Sequence, residues 1–265
     1  MPDEGNMRSL FGIDPFDDFV SILGDWIWEK CKGVPDLEIE AKIGVLIDRH
    51  TGVRLQLPVL TETIIDASNV RFESNMSMEQ HHAYNQLLNG AVGFSAGYPS
   101  GSKISYKHHR EVDYFYDVRL QNSGVTAHIR VTRDSKTHEI VPNCIVSKRR
   151  IADLNVYVPN RAFDYRISIN SETPFPAPPA DMEPVYVREK DRLSYTHQRF
   201  NVDLTQVTIP KMSHERVHEL EVEIRDSKEL MHFAHQARGG GMVQDWSEFD
   251  DTLLIFLNNI RLLIR

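Results

Sequence analysis

A period-two alternation of apolar and polar residues runs through most of the chain and predicts a largely β structure. The clearest instance is LEIEAKIG (37–44), where apolar residues alternate with Glu38, Glu40 and Lys42. Segments of this kind predict strands at 37–47, 103–118, 125–133, 144–157, 162–171, 185–195, 199–209 and 215–225. Eight strands with polar residues on one parity predict a closed antiparallel sheet, an eight-stranded β-barrel.

Four other segments have the three-to-four-residue apolar spacing of helices and are predicted to pack outside the barrel. They cover residues 15–32, 77–90, 226–241 and 248–265. The second begins with a capping box of Ser77 and Gln80 and is predicted to end at Gly90. His81 and His82 are adjacent in it, cannot face one ion together, and are interpreted as surface residues. The fold class is therefore α+β, mainly β.

Composition sets the limits within which this fold must function. The chain has 265 residues, 41% of them hydrophobic, which is enough for a substantial core. A net charge of −8 argues against broad binding to nucleic-acid duplex but allows a local grip on a phosphorylated end. Cys31 and Cys144 form no disulfide framework, which predicts a reducing cytosolic or nuclear compartment. Without a signal peptide or an apolar run near 18 residues, we expect a soluble protein with no membrane contact.

The chain shows no internal repeats and no linker long enough to divide it. We therefore predict a flexible N-terminal segment at residues 1–14 and a single catalytic barrel domain at residues 15–265.

The stretch KMSHERVHELEVEIRD (211–226) contains HERVH, a match to the zinc-protease pattern H-E-x-x-H. That pattern needs a helix, where residues four apart lie about 6 Å from each other. On a strand, His214 and His218 would stand roughly 13 Å apart, too far to share one ion. The residues after HERVH alternate with period two, and Pro210 leaves no room for a preceding helix turn. We therefore reject the zinc site.

The same stretch places Glu219, Glu221 and Glu223 on one side of a strand. A single such strand is best interpreted as a solvated acidic face. Glu38 and Glu40, on a second strand near the other terminus, change that interpretation. Two such strands can set four carboxylates around one hard cation, Mg²⁺ or Mn²⁺.

Basic residues occupy single parities of other strands. Arg188, Lys190 and Arg192 alternate in YVREKDRLSY, and Arg130 stands between Ile129 and Val131. Other strands add Arg166 with Glu172, and Lys148, although Arg149 and Arg150 blur the alternation around Lys148. Since the apolar parities have helices to pack against, the charged parities are left to line the interior. A wet interior with acids and bases fits a complex of metal and polyphosphate.

The order LEIEAKIG, FDYRISINSE, YVREKDRLSY and HELEVEI over residues 35–226 resembles the fungal RNA 5′-triphosphatases. These are the mRNA-capping members of the triphosphate tunnel metalloenzyme family. Motif by motif, the resemblance implies metal-binding carboxylates at Glu38, Glu40, Glu221 and Glu223. It implies γ-phosphate contacts from Arg130, Lys190 and Arg192, and a catalytic acid that orients water at Glu172. It implies tunnel-lining support from Lys148, Arg166, Arg188, Asp113, Asp203, Thr205 and Glu219.

The activity implied by this resemblance is metal-dependent hydrolysis of the γ-phosphate from the 5′-triphosphate end of nascent pre-mRNA, the first step of capping. Nucleoside-triphosphate hydrolysis with manganese, a homodimer and a nuclear location are also implied. The implied docking partner is either mRNA guanylyltransferase or the repeat tails of RNA polymerase II or an elongation factor. The sequence shows no tryptophan-rich peptide of the kind that docks guanylyltransferase in some yeasts, which favours the tails.

Two alternatives stay open on sequence alone. The first is another tunnel-family enzyme acting on free tripolyphosphate or thiamine triphosphate. The second is a catalytically silent module that binds phosphate ends, whose signature would be a broken acidic set. All four expected glutamates are present.

Overall fold

The computed structural model describes residues 10, 17–66, 68–119, 126–210, 216–239 and 246–265. Its helices are α1 (Asp18–Cys31), α2 (Met78–Ser95), α3 (Ser227–Arg238) and α4 (Glu248–Leu263). Its strands are β1 (Leu37–Asp48), β2 (Thr63–Ile65), β3 (Val70–Glu73), β4 (Ser105–Arg119), β5 (Thr126–Asp134), β6 (Ile140–Tyr157), β7 (Asp164–Pro174), β8 (Tyr186–His197), β9 (Phe200–Thr208) and β10 (Arg216–Ile224).

Eight of these strands close into an antiparallel barrel. The order around the barrel is β10-β9-β8-β4-β5-β6-β7-β1, and β1 pairs with β10 to complete the ring. At this seam Glu40 stands opposite Glu223, and Lys42 stands opposite Glu221. The closing pair therefore joins the two carboxylate-bearing strands, and the predicted eight-stranded barrel is confirmed.

The hydrophobic core lies outside the barrel rather than within it. Alternate residues of β1 and β10, among them Ile39, Ile43, Leu220 and Val222, are fully buried beneath the helices. Helices α1, α3 and α4 pack on one another and on this outer face of β1, β7 and β10. Burying one parity against helices satisfies the apolar side chains and leaves the other parity to face the interior.

A β-bulge interrupts the pairing of β6 with β7 between Arg150 and Ala152. The bulge adds one residue to β6 and changes the parity that faces inward. Lys148 and Arg150 precede the bulge, whereas Asp153 follows it and contacts Arg150 through its carboxylate at 2.5 Å. This change explains why the alternation around Lys148 is blurred in the sequence.

The short strands β2 and β3 were not predicted, because three or four residues are too few to establish a period. Strand β3 pairs with the end of β1 and comes very close to Gly44. A Cβ on Gly44 would lie 2.1 Å from the backbone oxygen of Glu73 and 2.8 Å from the ring of Phe72. Glycine is therefore required at this position of β1.

The predicted end of α2 and the surface placement of His81 are both wrong. The helix continues through Gly90 to Ser95, since Val92 packs on the core and Ser95 is buried. This packing outweighs the roughly 1 kcal/mol cost of a helical glycine. His81 is 5% exposed and packs on His218 of β10, with ring centroids 4.9 Å apart. His82 is exposed, as predicted.

The division into segments 1–14 and 15–265 stays a prediction, since residues 1–9 and 11–16 lie outside the described residues. The helices that the structure describes include none with the length and apolar character needed to cross a membrane. Cys31 and Cys144 are both free thiols, in agreement with the predicted lack of a disulfide framework.

Candidate active site

The predicted site side chains share the face of the barrel wall that is turned inward. Residues directly opposite in an antiparallel pair have side chains on the same face of the sheet. The pairings Glu38–Asn170 and Lys148–Glu172 therefore bring acids and bases of β1, β6 and β7 onto one face. Ion pairs and pairings extend that face around the ring through Arg130, Asp113, Lys190, Arg188, Arg192, Asp203, Thr205, Glu219, Glu221, Glu223, Glu40 and Arg166.

The four predicted metal ligands lie on the two strands that close the barrel. Glu40 of β1 is almost completely buried and lies opposite Glu223 of β10. The amide nitrogen of Asn170 donates hydrogen bonds to Glu38 (2.8 Å) and Glu40 (3.1 Å), which holds these two carboxylates side by side. The seam thus concentrates carboxylate oxygens, the ligands that Mg²⁺ and Mn²⁺ prefer.

Lysines neutralise three of these carboxylates and leave the fourth without a cation. Lys148 pairs with Glu38, and Lys42 pairs with Glu221. Each ammonium also lies 3.8 Å from Glu40. Within the described part of the chain, Glu223 makes no ion pair.

This difference appears in the pKa values of the glutamates. Burial, followed by the charges of Glu38, Asp203 and Glu40, raises the pKa of Glu223 to about 8. Burial and the neighbouring Glu221 raise the pKa of Glu40 to about 7. The charged forms of both carboxylates are therefore disfavoured until more positive charge reaches them.

The donor set fits a divalent cation, although the side chains are not drawn together around one point. No group of three His, Cys, Asp or Glu side chains among the described residues has metal-binding geometry. Lys42 lies between Glu40 and Glu221, and Lys148 lies between Glu38 and Glu40. Glu40 and Glu223 are buried carboxyl groups with raised pKa values, and a divalent cation would stabilise their charged forms.

Glu172 of β7 lies between two cations. The Arg130 guanidinium donates to its carboxylate at 2.9 Å, and the Lys148 ammonium lies 3.2 Å away. Burial raises the pKa of Glu172, but Arg130 and Lys148 outweigh burial and lower it below the ordinary value. Glu172 is therefore a carboxylate at neutral pH and can accept a hydrogen bond from water.

The other basic residues are held by acids of neighbouring strands. Lys190 contacts Asp113 (2.9 Å), whose carboxylate also accepts a hydrogen bond from Thr132 (2.6 Å). Arg192 contacts Asp203 at 3.3 Å. Both cations thereby have fixed positions on the inner face, which is the preorganisation that electrostatic catalysis requires.

The remaining predicted residues lie along the same wall. Arg188 contacts Glu219 at 3.4 Å, and Thr205 is buried opposite Glu219 in the register of β9 and β10. Arg166 places its guanidinium 4.9 Å from the centre of the Phe72 ring and 3.4 Å from Asp153. Burial lowers the pKa of Arg166, yet it stays protonated at neutral pH.

Three arginines of the inner face have a buried donor without a hydrogen-bond partner. The Nε atoms of Arg130, Arg188 and Arg192 are buried and have no hydrogen-bond partner in the described part of the structure. Buried donors without partners cost free energy, and a bound ligand or ordered water is one explanation for them. Guanidinium donors on one inner face match the oxygens of a polyphosphate.

Comparison with known proteins agrees with this geometry. A family model described as the mRNA capping enzyme, beta chain, matches residues 13–265. The mRNA-capping enzyme subunit beta of Schizosaccharomyces pombe is 38% identical over 237 residues, which cover 88% of this chain and 75% of that protein. The chain belongs to this family. The predicted fungal-type capping triphosphatase, and with it the enzyme class of RNA 5′-triphosphatases, is confirmed.

Other members of the capping beta-chain family extend the match. The subunit from Cryptococcus neoformans is 35% identical over 97% of this chain, which spans 64% of that relative. The structure of the S. pombe Pct1 RNA triphosphatase has a TM-score of 0.88, 33% identity and 98% coverage of both chains. The structure of Pct1 in complex with the Spt5 CTD gives a TM-score of 0.87 at the same identity, covering 97% of this chain and 98% of that one.

The structure of the present protein adds three inner-face residues that were not predicted as part of the site. Lys42 pairs with Glu221, Asn170 bridges Glu38 and Glu40, and Glu111 contacts Lys190 at 3.4 Å. The period-two alternation already put Lys42 and Asn170 on the site parity. Their partners depend on strand order, which a single sequence does not reveal.

The zinc interpretation fails for the described half of its motif. His218 lies in β10 on the buried outer parity, opposite in direction to Glu219 and Glu221. His214 lies outside the described residues. The histidine of the HERVH motif that the structure describes thus packs against α2 rather than facing the site.

Proposed function

We propose that this protein removes the γ-phosphate from the 5′-triphosphate end of nascent pre-mRNA and leaves a 5′-diphosphate end for capping. Family membership supports the substrate, and the inner face of the barrel supports the chemistry. The observation that carries the proposal is the set of buried, unpartnered Nε donors on Arg130, Arg188 and Arg192. These donors lie beside an acidic seam that suits a divalent cation.

The metal site of the proposal consists of Glu38, Glu40, Glu221 and Glu223, with Mg²⁺ or Mn²⁺ as the ion. When bound, the ion would neutralise charge on the phosphate oxygens. Asn170 keeps Glu38 and Glu40 adjacent for this purpose. Lys42 and Lys148 neutralise part of this acidic set in the structure, and the ion would add the positive charge that Glu223 lacks.

The hydrolysis itself needs orientation and charge neutralisation more than covalent chemistry. Arg130, Lys190 and Arg192 hold the oxygens of the γ-phosphate as its bond to the bridging oxygen breaks. Glu172 accepts a hydrogen bond from the attacking water and aligns that water with the leaving diphosphate. The water oxygen forms the new bond to phosphorus, its protons stay on the released phosphate, and the leaving diphosphate keeps the electrons of the broken bond.

Further parts of the proposal follow from relatives. The structure of S. pombe Pct1 in complex with the Spt5 CTD supports docking of this protein on repeat tails of an elongation factor or of RNA polymerase II. Binding to mRNA guanylyltransferase is the second candidate for docking. We also propose a homodimer, a nuclear location and hydrolysis of nucleoside triphosphates with manganese.

The test is release of labelled phosphate from RNA that carries ³²P at the γ-position, with and without Mg²⁺ or Mn²⁺. Inorganic tripolyphosphate serves as the competing substrate. We expect metal-dependent release from RNA and a diphosphate RNA end as the other product. Release from tripolyphosphate alone would instead identify a tripolyphosphatase, and binding of RNA without release would identify a silent end-binding module.

A further inference from the structure

Two aromatic rings stand on the inner face of the barrel next to the basic residues. Phe115 of β4 and Tyr186 of β8 are directly opposite in the strand register, and their ring centroids are 5.1 Å apart. Both are half-buried. On its other side Phe115 is opposite Arg130 of β5.

The register shows which way these rings point. Side chains of directly opposite residues lie on one face, so Arg130, Phe115 and Tyr186 form a row across three strands. Arg130 faces the interior because its guanidinium contacts Glu172. The ring pair therefore also faces the interior.

Seen from Lys190 and Arg192, the ring pair lies in the direction of Arg188 along the barrel wall. Along the inner parity of β8 the order is Tyr186, Arg188, Lys190 and Arg192. Arg188 contacts Glu219, which precedes Glu221 on β10. Glu221 is opposite Lys42, and Lys42 is opposite Arg166. Lys42 and Arg166 therefore lie, like Arg188, towards the end of the barrel where the rings stand.

Glu172 lies in the opposite direction. On β7 the inner residues run from Arg166 through Ser168 and Asn170 to Glu172. If Glu172 orients the attacking water, in-line displacement sends the leaving diphosphate away from Glu172. That direction leads towards Arg188 and then to the ring pair. From Lys190 to Tyr186 is about 13 Å along the strand, a span that a diphosphate and a ribose can bridge.

We propose that Phe115 and Tyr186 form a stacking platform for the first base of the RNA substrate, an inference that rests on the proposed function. Arg188 would hold the phosphates between this platform and the γ-phosphate site. Every base has a π-face, so such a platform tolerates any first nucleotide and adds no affinity for a bare polyphosphate chain. The platform gives the site its preference for a nucleotide end.

The test compares two substrates in variants that remove a ring but keep an apolar side chain. Phe115→Leu and Tyr186→Leu are assayed with a short 5′-triphosphate RNA and with inorganic tripolyphosphate, each with manganese. Stacking of one base on an aromatic ring predicts a rise in KM for RNA of roughly 5- to 100-fold. The KM for tripolyphosphate and the kcat for both substrates should stay within about twofold of wild type.

Two matched variants separate stacking from packing. Tyr186→Phe keeps the ring and should match wild type on both substrates. Phe94→Leu changes the exposed ring pair of Phe94 and Tyr98, with centroids 5.6 Å apart at the end of α2, and should have no effect. Thermal unfolding of each variant checks that its fold is intact.

Equal losses on RNA and tripolyphosphate would overturn the platform and assign the rings a packing role. An unchanged KM for RNA in both leucine variants would overturn it as well. If wild-type protein releases no phosphate from RNA, the proposed function fails separately. Calorimetric affinities for the same RNA and for tripolyphosphate then test the platform, which requires weaker RNA binding in the leucine variants alone.

Discussion

Glu221 and Glu223 give a sharp test of the acidic seam. They are neighbours on one face of β10, yet the pKa of Glu221 is lowered and that of Glu223 is raised. We predict that their replacements by glutamine change the free energy of unfolding of the metal-free protein in opposite directions. Glu223→Gln should stabilise it at alkaline pH, and Glu221→Gln should destabilise it. Both replacements keep the shape of the side chain and remove only its charge.

The sign for Glu223 follows from its raised pKa. Burial and the charges of Glu38 and Asp203 raise the pKa of Glu223 from 4.5 to about 8 in the folded protein. The folded state therefore holds this proton more tightly than the unfolded state, and stability is lost as pH rises from about 4.5 through 8. The full difference corresponds to at most ~5 kcal/mol above pH 8, and we expect about 1–3 kcal/mol because water and nearby side chains relax around the charge.

The sign for Glu221 is the reverse. Burial raises the pKa of Glu221, but Lys42 outweighs burial and lowers it from 4.5 to about 2. Its carboxylate thus stabilises the fold above pH 4.5, and this contribution is lost as pH falls through 2. Removing the charge leaves Lys42 with the more distant Glu40, 3.8 Å away, and should cost about 1–3 kcal/mol at neutral and alkaline pH.

The assay is urea unfolding in EDTA at pH 5 and at pH 9, followed by circular dichroism. At pH 9 the midpoint should rise for Glu223→Gln and fall for Glu221→Gln, and at pH 5 the gain for Glu223→Gln should shrink. With saturating manganese, both variants should show less metal-dependent stabilisation than wild type. A lower midpoint for Glu223→Gln at pH 9 would refute the placement of Glu223 in an unneutralised acidic cluster.

Three further predictions address catalysis and the barrel wall. Glu172→Gln should lower kcat for RNA by roughly 10²- to 10⁴-fold while manganese affinity stays unchanged, and an unaltered kcat would leave Glu172 a structural role. Arg130→Lys and Arg192→Lys should each keep less than about a tenth of wild-type kcat/KM, because an ammonium cannot donate two parallel hydrogen bonds as a guanidinium does. Full activity in both variants would exclude bidentate phosphate contacts. Gly44→Ala should lower the free energy of unfolding by about 2 kcal/mol or more, since its Cβ would lie 2.1 Å from the oxygen of Glu73, and an unchanged urea midpoint would contradict this.

The barrel could be predicted from sequence because its long strands repeat the same period many times. Each of the eight wall strands has at least nine residues, which gives four or more alternations. Strands β2 and β3 have three and four residues and give no such signal. The position of β3 depends on its close approach to Gly44 of β1, and that of β2 on its pairing with β6, contacts between segments far apart in sequence.

The histidines of α2 show a different limit. His81 and His82 are adjacent and equally polar, yet only His81 is buried. Its burial depends on α2 packing over β10, where His218 occupies the outer parity. Helical periodicity gives the relative orientation of the two histidines, but only the packing of the helix decides which one faces the barrel.

The three glutamates of β10 show how much of the site the period-two pattern can predict. Glu219, Glu221 and Glu223 have the same side chain on the same face at equal spacing, so the period-two pattern by itself gives no reason to distinguish them. Their differences come from cations on other strands: Arg188 of β8 for Glu219, and Lys42 of the adjacent β1 for Glu221. Glu223 instead lies opposite Glu40, near further acids, without an ion pair in the described chain. Because strand order and register decide these neighbours, sequence periodicity locates a charged wall, whereas the closure of β1 on β10 determines which part of it attracts a cation.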